Sequence, residues 1–251
     1  MHPTQPFIDA TATRHEPATL RHLGETHGHI LVRATLPEEA IDPVRRHVLR
    51  AAHAQGLTIS DDVPRLTLDA VRTWRGDTDP RWIALQQAVL ATEAAHALPK
   101  HPALLTLIEA LYGGPATAHC GDICRLGVPA QCAPEHTTPP HQDQYYLQGS
   151  EALWTAWTPL LDCPLELGPL AVWSGSNRDG LRAHDSGPPG RRHIEPTDIP
   201  WCSEALRAGD VVLFHGMTVH RALPNRTDAD LRLSMDMRYA PAPKSDTTAH
   251  R

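Results

Sequence analysis

The rhythm of polar and apolar positions changes near residue 115. Before it, the periods are helical. "PEEAIDPVRRHVLRAAHAQG" carries apolar residues at Ile41, Val44, Val48 and Ala51/Ala52, one face of a helix, and Gly56 ends it. "DPRWIALQQAVLATEAAHAL" predicts a second helix over 80–97. A third runs from His101 to Tyr112, with Gly113-Gly114 as its stop. "GHILVRATLP" reads as a short strand and turn. Residues 1–28 are polar and read as an irregular arm, and 57–79, with Pro64 and Gly76, as a loop.

After 115 the apolar runs shorten and are punctuated by Pro, Gly, Asn and Asp. "LWTAWTPLL", "GPLAVWSG", "GDVVLFHGMTVH" and "DLRLSMDMRYAP" predict strands joined by turns. Helices first and strands later give an α+β fold, mainly β, with helices packed on a β sandwich or barrel. We expect one domain over 1–251, with 1–114 as a helical lead-in and 115–243 as the β core.

Composition narrows the classes. The chain has 251 residues, 41% of them hydrophobic, so a globular protein with a substantial core is expected. A net charge of −6 without long single-sign blocks argues against nucleic acid as a partner. No apolar run suits a membrane span and the N-terminus lacks an apolar signal core, so a cytoplasmic protein is expected. The cysteines, Cys120, Cys124, Cys132, Cys163 and Cys202, are odd in number and form no C-x-x-C pair, which argues against a structural zinc site or a disulfide frame.

Candidate chemistry begins at "PPHQDQYYLQGS". A chain with 17 His and 29 Asp and Glu produces His-x-Asp/Glu pairs by chance, so His141/Asp143 and His193/Glu195 must be judged by their surroundings. On a strand, His141, Asp143 and Tyr145 would share one face and Tyr146 would point away. Two such ligands on a barrel wall need a third to complete the 2-His-1-carboxylate arrangement. "GDVVLFHGMTVHRALPN" offers His215 and His220. Further on, Leu231, Leu233, Met235, Met237 and Tyr239 alternate with Arg232, Ser234, Asp236 and Arg238. If that polar row faces inward, Arg232 and Ser234 need a partner, and a dicarboxylate would serve. The His193/Glu195 pair lies in a Pro/Gly-rich loop with no strand period. The same loop holds Arg178, Arg182, Arg191 and Arg192, which reads first as a solvated loop and otherwise as a lid.

The runs "HQDQYY", "LWTAWTPLLDCPLELGPLAVWSGS", "GDVVLFHGMTVHRALPN" and "RLSMDMRY", in that order, resemble the phytanoyl-CoA hydroxylase-like family of Fe(II)/2-oxoglutarate dioxygenases. The resemblance covers 115–243, and the helical front is similar to that family's lead-in. It implies a double-stranded β-helix jelly roll buttressed by helices. It implies Fe(II), 2-oxoglutarate and O2 as cofactor and co-substrates. It makes His141, Asp143 and His220 the catalytic iron ligands, Arg232 the anchor of the distal carboxylate of 2-oxoglutarate, Ser234 its neighbour, and Trp157 a wall of that subsite.

The chain departs from the family at Ser174-Gly175-Ser176-Asn177, where many members read Pro-Gly-Ser-His, so substrate analogy is weakened there. Asp143 is retained where related halogenases carry a small residue, which favours hydroxylation. The expected partner is a soluble small-molecule substrate, with Tyr145, Trp173 and Asn177 as candidate contacts. Oligomeric state is not legible. A cupin-like metal isomerase or epimerase, or a jelly-roll binding protein without turnover, are the alternative readings.

Overall fold

The computed structural model describes residues 4–118, 121–131, 137–147, 153–186, 192–194 and 199–243. The front half is helical: α1 (Pro17–His27), α2 (Glu38–Ala54), α3 (Leu68–Thr73), α4 (Pro80–Leu90), α5 (Glu93–Ala97) and α6 (Pro102–Tyr112), with strand β1 (His29–Val32) between the first two. The predicted helix over 37–56 is α2, whose buried face is Ile41, Val44, Val48, Leu49 and Ala52. The predicted helix over 80–97 is two helices, because the Thr92 hydroxyl accepts from the Ala95 N–H and starts α5 afresh.

Two expectations for the front half are corrected. The arm 1–28 contains α1, which starts on Pro17 and ends at Gly28 with φ +72°. It packs close, since a Cβ on Gly24 would sit 2.8 Å from Leu111 and 2.9 Å from Trp154. The loop 57–79 contains α3, capped by Thr67.

The back half follows as β2 (Ala116–Ala118), β3 (Ile123–Gly127), α7 (Asp143–Tyr146), β4 (Trp154–Pro159), β5 (Leu170–Trp173), β6 (Asp185–Ser186), β7 (Arg192–His193), β8 (Trp201–Cys202), β9 (Val211–His215), β10 (His220–Ala222) and β11 (Arg232–Pro241). The large sheet runs β1-β9-β4-β11, with β2 and β3 sharing the far edge of β11. The small sheet runs β10-β5-β8, and every pairing within these two sheets is antiparallel. This is the expected jelly roll with helices on one sheet.

Strand β11 explains how the layers hold. Leu233, Met235, Met237 and Tyr239 are buried against the helices, in one core with Ile41, Val44, Leu104 and Leu213. Burying each such side chain is worth about 1.5–3 kcal/mol. Phe7, Leu31, Trp157, Leu170, Val172, Val212 and Phe214 form a second core between the two sheets. The other row of β11, Arg232, Ser234, Asp236 and Arg238, also points inward and is at most 7% exposed. That row therefore does not face solvent. Among the described residues no helix is long and apolar enough to cross a membrane.

Candidate active site

His141 and His220 meet on an isolated antiparallel bridge that extends the small sheet past β10. Asp143 is not on a strand. The chain turns after Gln142 into α7, so the expected face-sharing of His141, Asp143 and Tyr145 does not arise from strand parity. A turn brings His141 and Asp143 together instead, and Gln142 locks it. Its amide donates to the Gly180 and Met217 carbonyls at 2.9 and 2.6 Å and accepts from Arg182 N–H at 2.8 Å. Its backbone N–H donates to His184 Nε2 at 3.1 Å.

The three side chains converge. Asp143 Oδ1 lies 3.7 Å from Nε2 of His141 and 3.7 Å from Nε2 of His220. The ligating atoms are all within 4.8 Å of one another, and among the described residues no other group of His, Cys, Asp or Glu is placed to hold a metal ion. Each Nδ1 is committed to a backbone carbonyl, His141 to Pro139 at 2.8 Å and His220 to Thr218 at 3.0 Å. That leaves both Nε2 lone pairs turned to the shared gap, the usual arrangement of metal-binding histidines. Burial pushes His220 down to about 3, so it is neutral and ready to ligate. Burial alone would raise the Asp143 carboxyl, but the Arg238 guanidinium beside it holds it well below the usual carboxylate range. Two imidazoles and one carboxylate are the donor set of a non-haem iron site.

Two cavities flank the triad. One is about 340 Å³ and opens on His141 and Asp143, with Ile123, Pro139, Tyr146, Leu147, Arg125, Asp77 and Arg238 among its walls. The other is a narrow cleft reaching from His141 and His220 to Arg232, walled by Trp157, Leu170, Phe214, Arg221 and Asp236. At its end Arg232 is buried, one guanidinium nitrogen donates to the Gly168 carbonyl at 3.0 Å, and Nε has no partner. Ser234 Oγ and Asp236 Oδ1 are likewise unpartnered. A buried donor left open is costly, and the open Arg232 Nε fits a carboxylate bound there. Gly127 makes the room, since a Cβ there would sit 2.6 Å from Arg232 Nε. Trp157 lies under Arg232, 5.9 Å from ring centroid to guanidinium carbon. Ser234 shares the inward row but does not line the cleft.

The candidate substrate contacts fall differently. Tyr145 stacks on His184, 4.1 Å between centroids, and it is Tyr146 that lines the large cavity, because α7 replaces strand parity by a helical turn. Trp173 carries Arg182 on its ring at 4.3 Å, and Asn177 donates to the Glu25 carbonyl at 3.0 Å. Neither lines a cavity beside the triad. The altered turn is structural here: Ser176 Oγ donates to Trp173 O at 2.7 Å and accepts from Val219 N–H at 2.9 Å. His215 packs edge-on to Trp154, as a core histidine does. Glu195 and Arg191 lie outside the described residues. Sequence reading gave no role to Thr155, Gln142 or Arg125, and named Arg238 only as a member of the polar row of 231–239. Their partners are strands away in the chain, and no local spacing signals them.

Fold and donor set together define a non-haem Fe(II)/2-oxoglutarate-dependent oxygenase. The sequence pattern of the phytanoyl-CoA dioxygenase (PhyH) family matches residues 24–233, and the chain belongs to that family. It is similar to two proteins named 1-deoxypentalenic acid 11-beta-hydroxylase, from Streptomyces arenae and Streptomyces exfoliatus. These are 28% and 26% identical over 251 and 254 residues, each alignment covering 94% of this chain and 85% of the relative. Among solved structures it resembles the epimerase SnoN in complex with Fe3+, alpha ketoglutarate and nogalamycin RO, at TM-score 0.63 and 25% identity, over 90% of this chain and 85% of that one. The enzyme accordingly uses Fe(II), 2-oxoglutarate and O2.

Proposed function

We propose that this enzyme hydroxylates an unactivated C–H bond of a compact, largely apolar small metabolite, with iron held by His141, Asp143 and His220. The observation that carries the reading is the large cavity opening on the triad, walled by Ile123, Pro139, Leu147 and Tyr146. Its volume of about 340 Å³ suits a small carbocyclic skeleton better than a lipid carrier. The similarity to hydroxylases named for 1-deoxypentalenic acid points the same way.

When bound, iron, 2-oxoglutarate and O2 supply the oxidising power, and 2-oxoglutarate leaves as succinate and CO2. The chain's own groups orient and shield. Arg232 takes the distal carboxylate of 2-oxoglutarate in the narrow cleft, Trp157 forms the wall beneath it, and Ser234 supports the inward row. His141 and His220 present their Nε2 atoms, and Asp143 supplies the negative charge. Ile123, Leu147 and Tyr146 exclude water and aim the substrate. The shared core of helices and large sheet supports a single catalytic unit over 1–251.

A second reading, epimerisation, is favoured by the likeness to SnoN. One assay separates them. The enzyme is incubated with Fe(II), 2-oxoglutarate, 18O2 and a panel of terpenoid and polyketide acids that includes 1-deoxypentalenic acid. Hydroxylation yields one succinate per product and an 18O-labelled product. An unlabelled product of unchanged mass supports epimerisation, and absence of substrate-stimulated succinate across the panel removes this substrate class.

A further inference from the structure

We propose that Arg238 and Thr155 hold Asp143 as a one-oxygen metal ligand and thereby keep a coordination position open for the oxidant. The inference rests on the assignment of iron to the triad and goes beyond it, because it concerns the geometry of one ligand.

The carboxylate of Asp143 is gripped along one edge. Arg238 Nε–H donates to Oδ2 at 3.1 Å and Nη2–H donates to Oδ1 at 3.2 Å. The Thr155 hydroxyl donates to Oδ2 at 2.8 Å. Oδ2 therefore has a donor on each of its two in-plane lone pairs. Oδ1 has one such donor, and it is also the oxygen that faces both histidine Nε2 atoms. One lone pair of one oxygen is left for a metal.

The grip is built on rigid elements. Thr155 and Arg238 are direct cross-strand partners of β4 and β11, so their side chains emerge together on the inward face. The third nitrogen of the Arg238 guanidinium donates to the Gly121 carbonyl, and its backbone N–H donates to Asp122 at 3.2 Å. Arg238 is 3% exposed and cannot swing into solvent. A counter-ion alone would need neither the fork nor the threonine.

The consequence follows from counting positions. An octahedral ion held by three protein atoms and chelated by 2-oxoglutarate through two has one position left. A carboxylate that binds through both oxygens fills that position. Carboxylates switch readily between the two modes, and a donor fork across the edge between the two oxygens prevents the switch. Arg238 and Thr155 are thus positioning residues that act through Asp143.

Redox-inert Mn(II) reads this without turnover. In the wild-type Mn(II)·2-oxoglutarate complex, a crystal structure should show Asp143 bound through Oδ1 alone. In Arg238→Gln, which clears the edge between the two oxygens, both carboxylate oxygens should lie within bonding distance; Thr155→Val leaves the fork in place and should keep one-oxygen binding. Mn(II) affinity of Arg238→Gln, followed by electron paramagnetic resonance, should stay within about threefold or tighten, because a ligand atom is gained. With Fe(II), 2-oxoglutarate turnover should fall at least tenfold in Arg238→Gln, and Arg238→Lys, which keeps the charge but not the fork, should not restore it. If Arg238→Gln does not fold, Arg238→Lys decides. One-oxygen binding in every folded Arg238 variant, or two-oxygen binding in the wild type, overturns the proposal. Mn(II) bound away from the triad in the wild type instead overturns the iron assignment beneath it.

Discussion

His141 and His220 face each other across an antiparallel bridge, each donating its backbone N–H to the other's carbonyl at 2.9 Å, with their rings 4.1 Å apart. The same pair of hydrogen bonds that extends the small sheet also sets the spacing of the two proposed histidine ligands. The spacing of the two imidazoles is therefore set by the sheet.

Metal held by the triad should stabilise the fold. At a Mn(II) concentration a hundredfold above Kd, linkage gives about 2.7 kcal/mol. For a chain of this size that corresponds to a rise in Tm of roughly 5–10 °C. His220→Ala and Asp143→Ala should lose the rise, as measured by calorimetry with and without the ion. An equal rise in those variants would place the bound ion elsewhere.

Arg232→Lys tests the co-substrate cleft. The substitution keeps the charge and loses the planar fork, so about 1.5–3 kcal/mol of charge-assisted hydrogen bonding is at stake. The KM for 2-oxoglutarate should rise about ten- to a hundredfold, while Mn(II) affinity stays near wild type. An unchanged KM would move the anchor off Arg232.

The walls of the large cavity should govern coupling, the ratio of hydroxylated product to succinate. Tyr146→Ala and Ile123→Ala should lower it at least threefold on the true substrate. Trp173→Ala and Asn177→Ala should affect stability and leave coupling near wild type, because those side chains tie the 173–182 segment to Arg182 and to α1. The reverse pattern would show that substrate enters from the other wall.

Stability should fall in mild acid through His29. It is fully buried, its Nε2 accepts the Ile8 N–H at 3.3 Å, and burial pushes its pKa down to about 4. In the unfolded chain the group protonates near pH 6.5. Between those values the unfolded state binds the extra proton, so stability is lost as pH falls from about 6.5 to about 4, by up to about 3 kcal/mol. In urea titrations at pH 7 and pH 5, His29→Gln should show a smaller loss, by about one proton's worth of slope. Parallel losses in both proteins would contradict the assignment.

Much of this was readable along the chain. The period-two alternation of 231–239 marked β11, and both of its faces proved buried because helices cover one and the small sheet covers the other. The residues alone left His215 and His220 open, the family resemblance chose His220, and the structure pairs it with His141. The α1 helix carried its own signal, Pro17 at the start and Gly28 at the end, but its polar composition obscured the period. The turn at Gln142 was not readable, since its hydrogen-bond partners at Gly180, Arg182 and Met217 are distant in sequence. For the same reason Tyr145 and Tyr146 exchanged their expected directions. The pairing of Arg238 and Thr155 on Asp143 depends on the register of β4 with β11, which no local pattern encodes.

The most direct measurement is an anomalous-scattering map from crystals of the enzyme grown anaerobically with Fe(II) and 2-oxoglutarate. We expect one iron peak within about 2.0–2.2 Å of His141 Nε2, Asp143 Oδ1 and His220 Nε2, with 2-oxoglutarate running from it to Arg232. Iron bound by other residues, or 2-oxoglutarate lying away from Arg232, would contradict this account of the site.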